Sequence, residues 1–215
     1  EAAFRERLAR VPTPAAILMT SLMTYWYPGV AAAIRLARER FPGVPVILGG
    51  IYATLCPEHA QKHSGADRVV AGPGEAAILG ILEEATGFSP PGPIFPDPED
   101  LDSRPYPALD LLDHPSSIPI LTSRGCPLNC AYCASRQLQP IYRRRDPLAV
   151  TAELIYWQDQ LALADAAFYD DALLLAAADH LLVILAELAS RGRTFRFHTP
   201  NGLHARLITR EVARG

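Results

Sequence analysis

The sequence predicts an α/β protein in which parallel strands alternate with helices, with a doubly wound parallel sheet in its N-terminal part. Three observations carry that expectation. Short apolar runs of strand length alternate with longer segments patterned at helical spacing. The runs are continuously apolar, as in strands buried on both faces. Motif-like residues follow several runs, at the strand ends where parallel α/β folds gather ligands. The composition agrees: 49% of the 215 residues are hydrophobic and 20% charged, a balance that supports a real core and excludes general disorder.

Ala15–Thr20 is the first expected strand. Gly29–Phe41 follows as a helix, with Ile34, Leu36, Ala37 and Phe41 interleaved with Arg35, Arg38, Glu39 and Arg40, and Pro42-Gly43 stops it. Val44–Leu48 is a strand ended by Gly49-Gly50, and Pro57–His63 is a helix. Arg68–Ala71 is a strand closed by Gly72-Pro73-Gly74, and Glu75–Ala85 is a helix. Residues 1–85 therefore form one domain. Residues 86–117 read as an extended Pro-rich linker. Nine of the 20 prolines lie between Pro90 and Pro119, and prolines exclude helix interiors and central strands.

The α/β rhythm resumes in 118–215. Ile118–Thr122 is a strand leading into a cysteine-rich segment. Asp146 is an N-cap with Pro147 at the first helical position, and Val150, Leu154, Trp157 and Leu161 mark one face of a helix to about Leu163. Ala166–Tyr169 is a strand ending at Asp170-Asp171, Asp179–Arg191 a helix, and Thr194–His198 a strand. Residue 1 is Glu and the chain stops at Arg214-Gly215 in what reads as an unfinished helix, so a fragment of a longer protein is expected.

The strongest chemical signal is Gly125-Cys126-Pro127-Leu128-Asn129-Cys130-Ala131-Tyr132-Cys133. Three thiols within eight residues, spaced C-x3-C-x2-C, can turn toward one point. Thiolates select soft metals: zinc, copper(I) or iron–sulfur clusters. A closed zinc site needs a fourth ligand, and no nearby Cys or His completes the usual paired spacing. A four-iron cluster normally takes four cysteines, so three would leave one iron open. Local disulfides would be strained at this spacing. Three inert thiols in a loop are the remaining alternative. Cys56 lies far upstream and reads as a small core residue.

This segment resembles the radical S-adenosylmethionine enzymes. The resemblance rests on the C-x3-C-x2-C after a strand, on Tyr132 before the last cysteine, and on the wider string Thr122-Ser123-Arg124-Gly125-Cys126-Pro127. It implies that residues 118–215 are the N-terminal half of a partial (β/α) barrel, three of about six strand–helix units. It also implies that Cys126, Cys130 and Cys133 hold a 4Fe–4S cluster whose open iron chelates S-adenosylmethionine. One electron would then cleave the cofactor to a 5′-deoxyadenosyl radical, and the protein would position the reactive carbon and exclude water. An electron donor such as flavodoxin or ferredoxin and a small-molecule or peptide substrate follow from the same resemblance. Ser21–Gly29 and Leu48-Gly49-Gly50 are similar to the cobalamin-binding-type Rossmann-like domain that precedes many such barrels. Cobalamin is thus a candidate third cofactor. The cobalt-ligating D-x-H-x-x-G is absent, and the domain reads as lacking its first strand–helix unit.

Further residues are expected at the cofactor. Asp170 and Asp171 sit where the resemblance puts a segment gripping the methionyl ammonium; a helix N-terminus that favours acids is the alternative. His198 and Asn201 follow the last strand, where polar groups would meet the ribose, or form a plain Asn-Gly turn. Tyr132 joins them as a cofactor-binding residue. Arg143-Arg144-Arg145 reads as a solvated charge run or a carboxylate site. Tyr25-Trp26-Tyr27 cannot all enter one core, so part of it is exposed or lines a pocket. His59, His63, His114, His180 and His204 show no partner pattern. Gly72-Pro73-Gly74 is explained as well by a strand-end turn as by a phosphate loop.

The net charge of −3 gives no footprint for nucleic acid and no polybasic membrane signal. No apolar run is long enough to span a bilayer and no signal peptide is visible, so the cytoplasm is expected. The rival readings are a non-catalytic iron–sulfur electron carrier or truncated inactive relative, and a methylthiotransferase acting on RNA. The latter would want an extra cluster domain and a basic appendage, and neither is visible in the sequence.

Overall fold

The computed structural model describes residues 1–75, 77–89, 97 and 100–214. The chain divides into two compact units, Glu1–Pro93 and Ile94–Gly215. Both are α/β with parallel sheets. The most Pro-dense part of the expected linker, 90–96 with 98–99, lies outside the described residues. Among the described residues no helix is long and apolar enough to cross a membrane.

The first unit runs α1 (Ala2–Ala9), β1 (Ile17–Ser21), α2 (Tyr27–Arg40), β2 (Val46–Gly50), α3 (Ile51–Leu55), α4 (Pro57–His63), β3 (Arg68–Val69) and α5 (Ile78–Thr86). Its three strands lie in chain order, all parallel, with Ile17 opposite Val46 and Ile47 opposite Arg68. Val30 and Ile34 of α2 pack on Val46 and Leu48 of β2, with Tyr52, Ala53 and Ala60 completing the core. The pattern missed α1 and α3. It also placed β2 two residues early. Pro45 has no N–H to give a ladder, so the strand begins after it, although its carbonyl accepts from Ile17 N at 2.8 Å. Gly49 and Gly50 are the last two residues of the strand and not a turn after it; they pair with Thr20 and Ser21. Pro28 in the first turn moves the start of α2 back to Tyr27.

The second unit runs β4 (Ile118–Ile120), β5 (Ser123–Arg124), α6 (Ser135–Leu138), β6 (Arg143–Arg144), α7 (Pro147–Leu161), β7 (Asp165–Phe168), α8 (Leu181–Ser190) and β8 (Arg196–His198). β4, β7 and β8 form an open parallel sheet in that order, with Ile118 opposite Ala166 and Ala167 opposite His198; no closed barrel is present among the described residues. Val150, Leu154 and Trp157 of α7 and Leu181, Ile184 and Leu188 of α8 bury Ile118, Ile120, Ala166 and Phe168 of the sheet. Asp146 caps α7, accepting from Ala149 N at 3.2 Å. Leu109, in a 3-10 turn over Leu109–Leu111, is buried in this same core. The later part of the expected linker is thus a packed strap, because it carries an apolar anchor that the proline count hides. The C-terminal residues form turns, including a 3-10 turn at Ala205–Leu207, and not the regular helix expected.

Gly50 has φ +90°, and a Cβ there would lie 2.5 Å from Thr20 Oγ1 and 2.7 Å from the Ser21 carbonyl oxygen. Gly50→Ala is expected to destabilise the first unit by about 2 kcal/mol. Gly74, whose Cβ would meet nothing within 4 Å, should accept Ala with little change. Amide hydrogen exchange of β1 and β2 in the two variants measures the difference.

Candidate functional site

The site is built around the backbone where β4 ends. Thr122 is fully buried, and each of its polar groups is used. Its N–H lies 3.1 Å from both carboxylate oxygens of Asp170, and its hydroxyl donates to Asp170 Oδ1 at 2.8 Å. Its carbonyl accepts from Arg145 N at 2.9 Å and from His180 Nε2 at 3.2 Å. Ser123 adds a hydroxyl donor to Asp170 Oδ1 at 2.6 Å. Asp170, just beyond β7, is only 2% exposed. A buried carboxylate is tolerable when several donors replace its hydration, and here three do. Because a carbonyl can only accept, His180 must carry its proton on Nε2. Burial pushes the imidazole below its ordinary value, against the Thr122 carbonyl bond, which favours the proton.

The cysteine segment hangs from this knot. β5 and β6 pair antiparallel, Ser123 opposite Arg144 and Arg124 opposite Arg143, and pinch the neck of a loop from Gly125 to Tyr142. Gly125 has φ +84°, and a Cβ there would lie 2.7 Å from the Ile141 carbonyl oxygen, so the returning chain crosses directly over it. Cys126 and Cys130 are half-buried and Cys133 is exposed; all three are free thiols. Cys133 N donates to the Cys130 carbonyl at 3.1 Å, and Ser135 N donates to Cys133 Sγ at 3.4 Å. Among the described residues no three Cys, His, Asp or Glu side chains converge tightly enough to hold a metal ion. In kind, three closely spaced thiols on an accessible loop, one already receiving a backbone N–H, are a donor set suited to an iron–sulfur cluster.

A second buried network fixes the strap. The Arg145 side chain, 11% exposed, donates to Asp102 Oδ1 at 2.7 Å, to Glu153 Oε2 at 2.6 Å and to the Leu121 carbonyl at 3.1 Å. Asp102 Oδ2 also accepts from Asp146 N at 2.6 Å. Burial acting alone would lower the Arg145 guanidinium; Glu153 and Asp102 outweigh it and hold it above its ordinary value. Burial pushes the Glu153 carboxyl up, and Arg145 pulls it back only in part. The expectation of a solvated arginine run therefore fails at Arg145. A cavity of about 330 Å³ opens between this strap and the end of β4, with Tyr106, Pro119, Arg124, Glu153 and Tyr169 among its walls.

The remaining sequence-predicted residues separate. Asp171 is exposed while its neighbour Asp170 is turned inward. His198 is exposed and reaches back along the sheet to Asp165 Oδ1 at 2.8 Å. Arg196 first and His198 second hold the Asp165 carboxyl down at about 2. Asn201 Nδ2 donates to the Tyr169 carbonyl at 2.8 Å, bracing the segment before Asp170. Tyr132 is 92% exposed at the loop tip. Sequence reasoning missed Glu153 and gave His180 no role. Glu153 had a signal, a carboxylate on the apolar face marked by Val150, Leu154 and Trp157. His180 had none.

In the first unit a slot of about 120 Å³ lies at the strand ends, lined by Leu18, Met19, Ile47, Val70 and Ile78 with Gly49, Gly50, Gly72 and Gly74. A Cβ on Gly72 or Gly74 would project into open space, so the glycines keep room at this edge. Tyr25, Trp26 and Tyr27 are all exposed beside the end of β1.

Residues 2–82 match the B12 binding domain family. The chain is 27% identical over 186 residues to an uncharacterized methyltransferase of Pyrococcus horikoshii, covering 74% of this chain and 40% of that protein. It is 28% identical over 134 residues to the bacteriochlorophyllide d C-8(2)-methyltransferase of Chlorobaculum tepidum, covering 54% and 28%. It is 25% identical over 154 residues to the anaerobic magnesium-protoporphyrin IX monomethyl ester cyclase of a Synechocystis strain, covering 60% and 31%. The chain spans 40% or less of the length of these curated relatives.

Asp170→Asn turns an amide toward donors that need an acceptor, and is expected to cost the second unit about 2 kcal/mol in a denaturant titration. The depressed His180 sets a pH dependence. Its folded value lies below the unfolded value of 6.5, so its contribution is present above pH 6.5 and lost as pH falls through the folded value. His180→Gln keeps an N–H donor without titrating. Thermal melting followed from about pH 7 down to about pH 5 should show a smaller loss for this variant than for the parent.

Proposed function

We propose that the chain is the cobalamin-domain and cluster-bearing portion of a radical S-adenosylmethionine enzyme that transfers a methyl group. The reading is supported above all by the three-cysteine loop, which is pinned at its neck by Thr122, Ser123 and Asp170 and free at its tip. The B12 binding domain match upstream and the methyltransferase names of two relatives support the reaction class.

In this reading Cys126, Cys130 and Cys133 would hold a 4Fe–4S cluster, and the first unit would hold cobalamin. When bound, the cluster supplies a single electron to the sulfonium of S-adenosylmethionine, and cobalamin supplies a methyl carrier. The rest is the work of the chain's residues. Ser135 N–H, already directed at Cys133 Sγ, would orient that sulfur toward the cluster. Asp170 is buried and already accepts from Thr122 and Ser123, so it would position the loop, and the exposed Asp171 is the carboxylate that would meet the methionyl ammonium. Asn201 steadies the strand end that carries both. The half-open cavity behind Arg124 gives the reacting groups a wall of tyrosine and proline from which water is partly excluded. The apolar slot lined by Leu18, Ile47 and Ile78 beside Gly49-Gly50 would be the place for the flat base of the cobalamin tail. No histidine lies between β1 and Gly50, so that stretch would offer bound cobalamin no imidazole. A flavodoxin- or ferredoxin-like donor supplies the electron.

Anaerobic reconstitution of the chain with iron and sulfide should give near-stoichiometric cluster, and Cys126→Ala, Cys130→Ala or Cys133→Ala should each abolish it. Cys56→Ala should leave it unchanged. Asp171→Asn should keep the cluster and weaken S-adenosylmethionine binding about tenfold, the loss of one charge-assisted contact. A full cluster in Cys126→Ala overturns the ligand assignment. A loaded chain with no affinity for S-adenosylmethionine is an electron carrier instead.

A further inference from the structure

The first unit contains a cluster of metal-ligating side chains that the function above does not use. α4 carries Cys56-Pro57-Glu58-His59-Ala60-Gln61-Lys62-His63 from its N-cap to its end. His59 and His63 are four apart, the spacing that puts side chains on one helix face. Both are exposed, and their ring centroids are 4.3 Å apart at an interplanar angle of 38°. His59 is also held from behind. Its Nδ1 lies 2.7 Å from the hydroxyl of Tyr52, a residue 2% exposed and locked in the core of this unit. The Tyr27 ring closes on the same imidazole edge-on at 4.8 Å. Cys56 lies on the same stripe but packs against the core, and no group of three ligands forms among the described residues.

We propose that His59 and His63 bind a divalent transition metal through their Nε2 atoms, with water filling the other positions. Imidazole pairs select copper(II), nickel(II) or zinc over magnesium or calcium. An i, i+4 histidine pair is also the helical arrangement that zinc proteases use. Metal at Nε2 selects the tautomer in which His59 Nδ1–H donates to Tyr52 Oη. This is the outer-shell bond that ligating histidines generally make, and it fixes the ring and raises its basicity. The alternative is an aromatic cluster that only packs α2, α3 and α4 together. The site stands independently of the cluster reading, because it uses none of the same residues.

The test uses the full chain with Cys126, Cys130 and Cys133 changed to Ser, so that their thiols do not compete, checked for folding by circular dichroism. Titration with copper(II) alone, followed by electron paramagnetic resonance, should show a single tight equivalent with nitrogen couplings from two imidazoles. His59→Gln and His63→Gln should each lose that equivalent. Tyr52→Phe should weaken it about tenfold, as loss of an outer-shell partner does. Cys56→Ser should leave it unchanged. Folded His59→Gln and His63→Gln variants that bind copper like their parent overturn the proposal. Should the cysteine variant fail to fold, zinc added to the unaltered chain must shift the imidazole proton resonances of His59 and His63. Resonances that stay in place also overturn it.

Discussion

The burial of one carboxylate organises the second unit. Asp170 is shut away from water at the end of β7, and an unsolvated carboxylate is stable only if donors are fixed around it. Those donors come from Thr122 and Ser123, the two residues that carry β4 into the cysteine segment. One interaction therefore joins two neighbouring strands at their carboxyl ends and sets the direction in which the loop departs. The Thr122 carbonyl extends the knot to His180, which opens α8, and to the backbone of Arg145, which returns from the loop. Every element that frames the loop meets at this residue.

The Arg145 network does the same for the strap. Asp102, Glu153 and Arg145 bring two carboxyl groups and one guanidinium into a nearly closed space. Buried ion pairs are weak sources of stability, because desolvation opposes their attraction. Their effect here is positional: they hold the strap at one height above the end of β4 and leave the cavity beneath it. The cysteine loop itself stays accessible, with Cys133 and Tyr132 at the surface. The neck of the loop is paired, Ser123 opposite Arg144, while its tip is open to solvent, the arrangement that the proposed ligand role of the thiols would use.

Much of this was legible in the sequence. Continuous apolar runs marked the strands, and Asp146-Pro147 marked the start of α7 because cap and first-turn chemistry are local. The C-x3-C-x2-C and its place on a loop after β4 were legible because residue spacing along a loop is also local. The partners of Asp170 were not. An Asp-Asp pair after a strand looks alike whether it faces a ligand or the protein, and only the three-dimensional register of β4 on β7 decides that the first acid turns inward. Arg145 was misread for a similar reason: two of the three arginines in its run are partly open to solvent, and nothing nearby in sequence announces Asp102. Leu109 was hidden among prolines. His180 carried no pattern, since its acceptor is a backbone carbonyl that any residue type could supply.

We propose that Cys126, Cys130 and Cys133 present a 4Fe–4S cluster to S-adenosylmethionine. Electron paramagnetic resonance of the reconstituted, dithionite-reduced chain tests it most directly, with spectra taken before and after the cofactor is added. A reduced 4Fe–4S signal is expected, with g-values that move when S-adenosylmethionine is added. A signal that is unchanged by the cofactor, or a chain that retains only mononuclear metal, would contradict it.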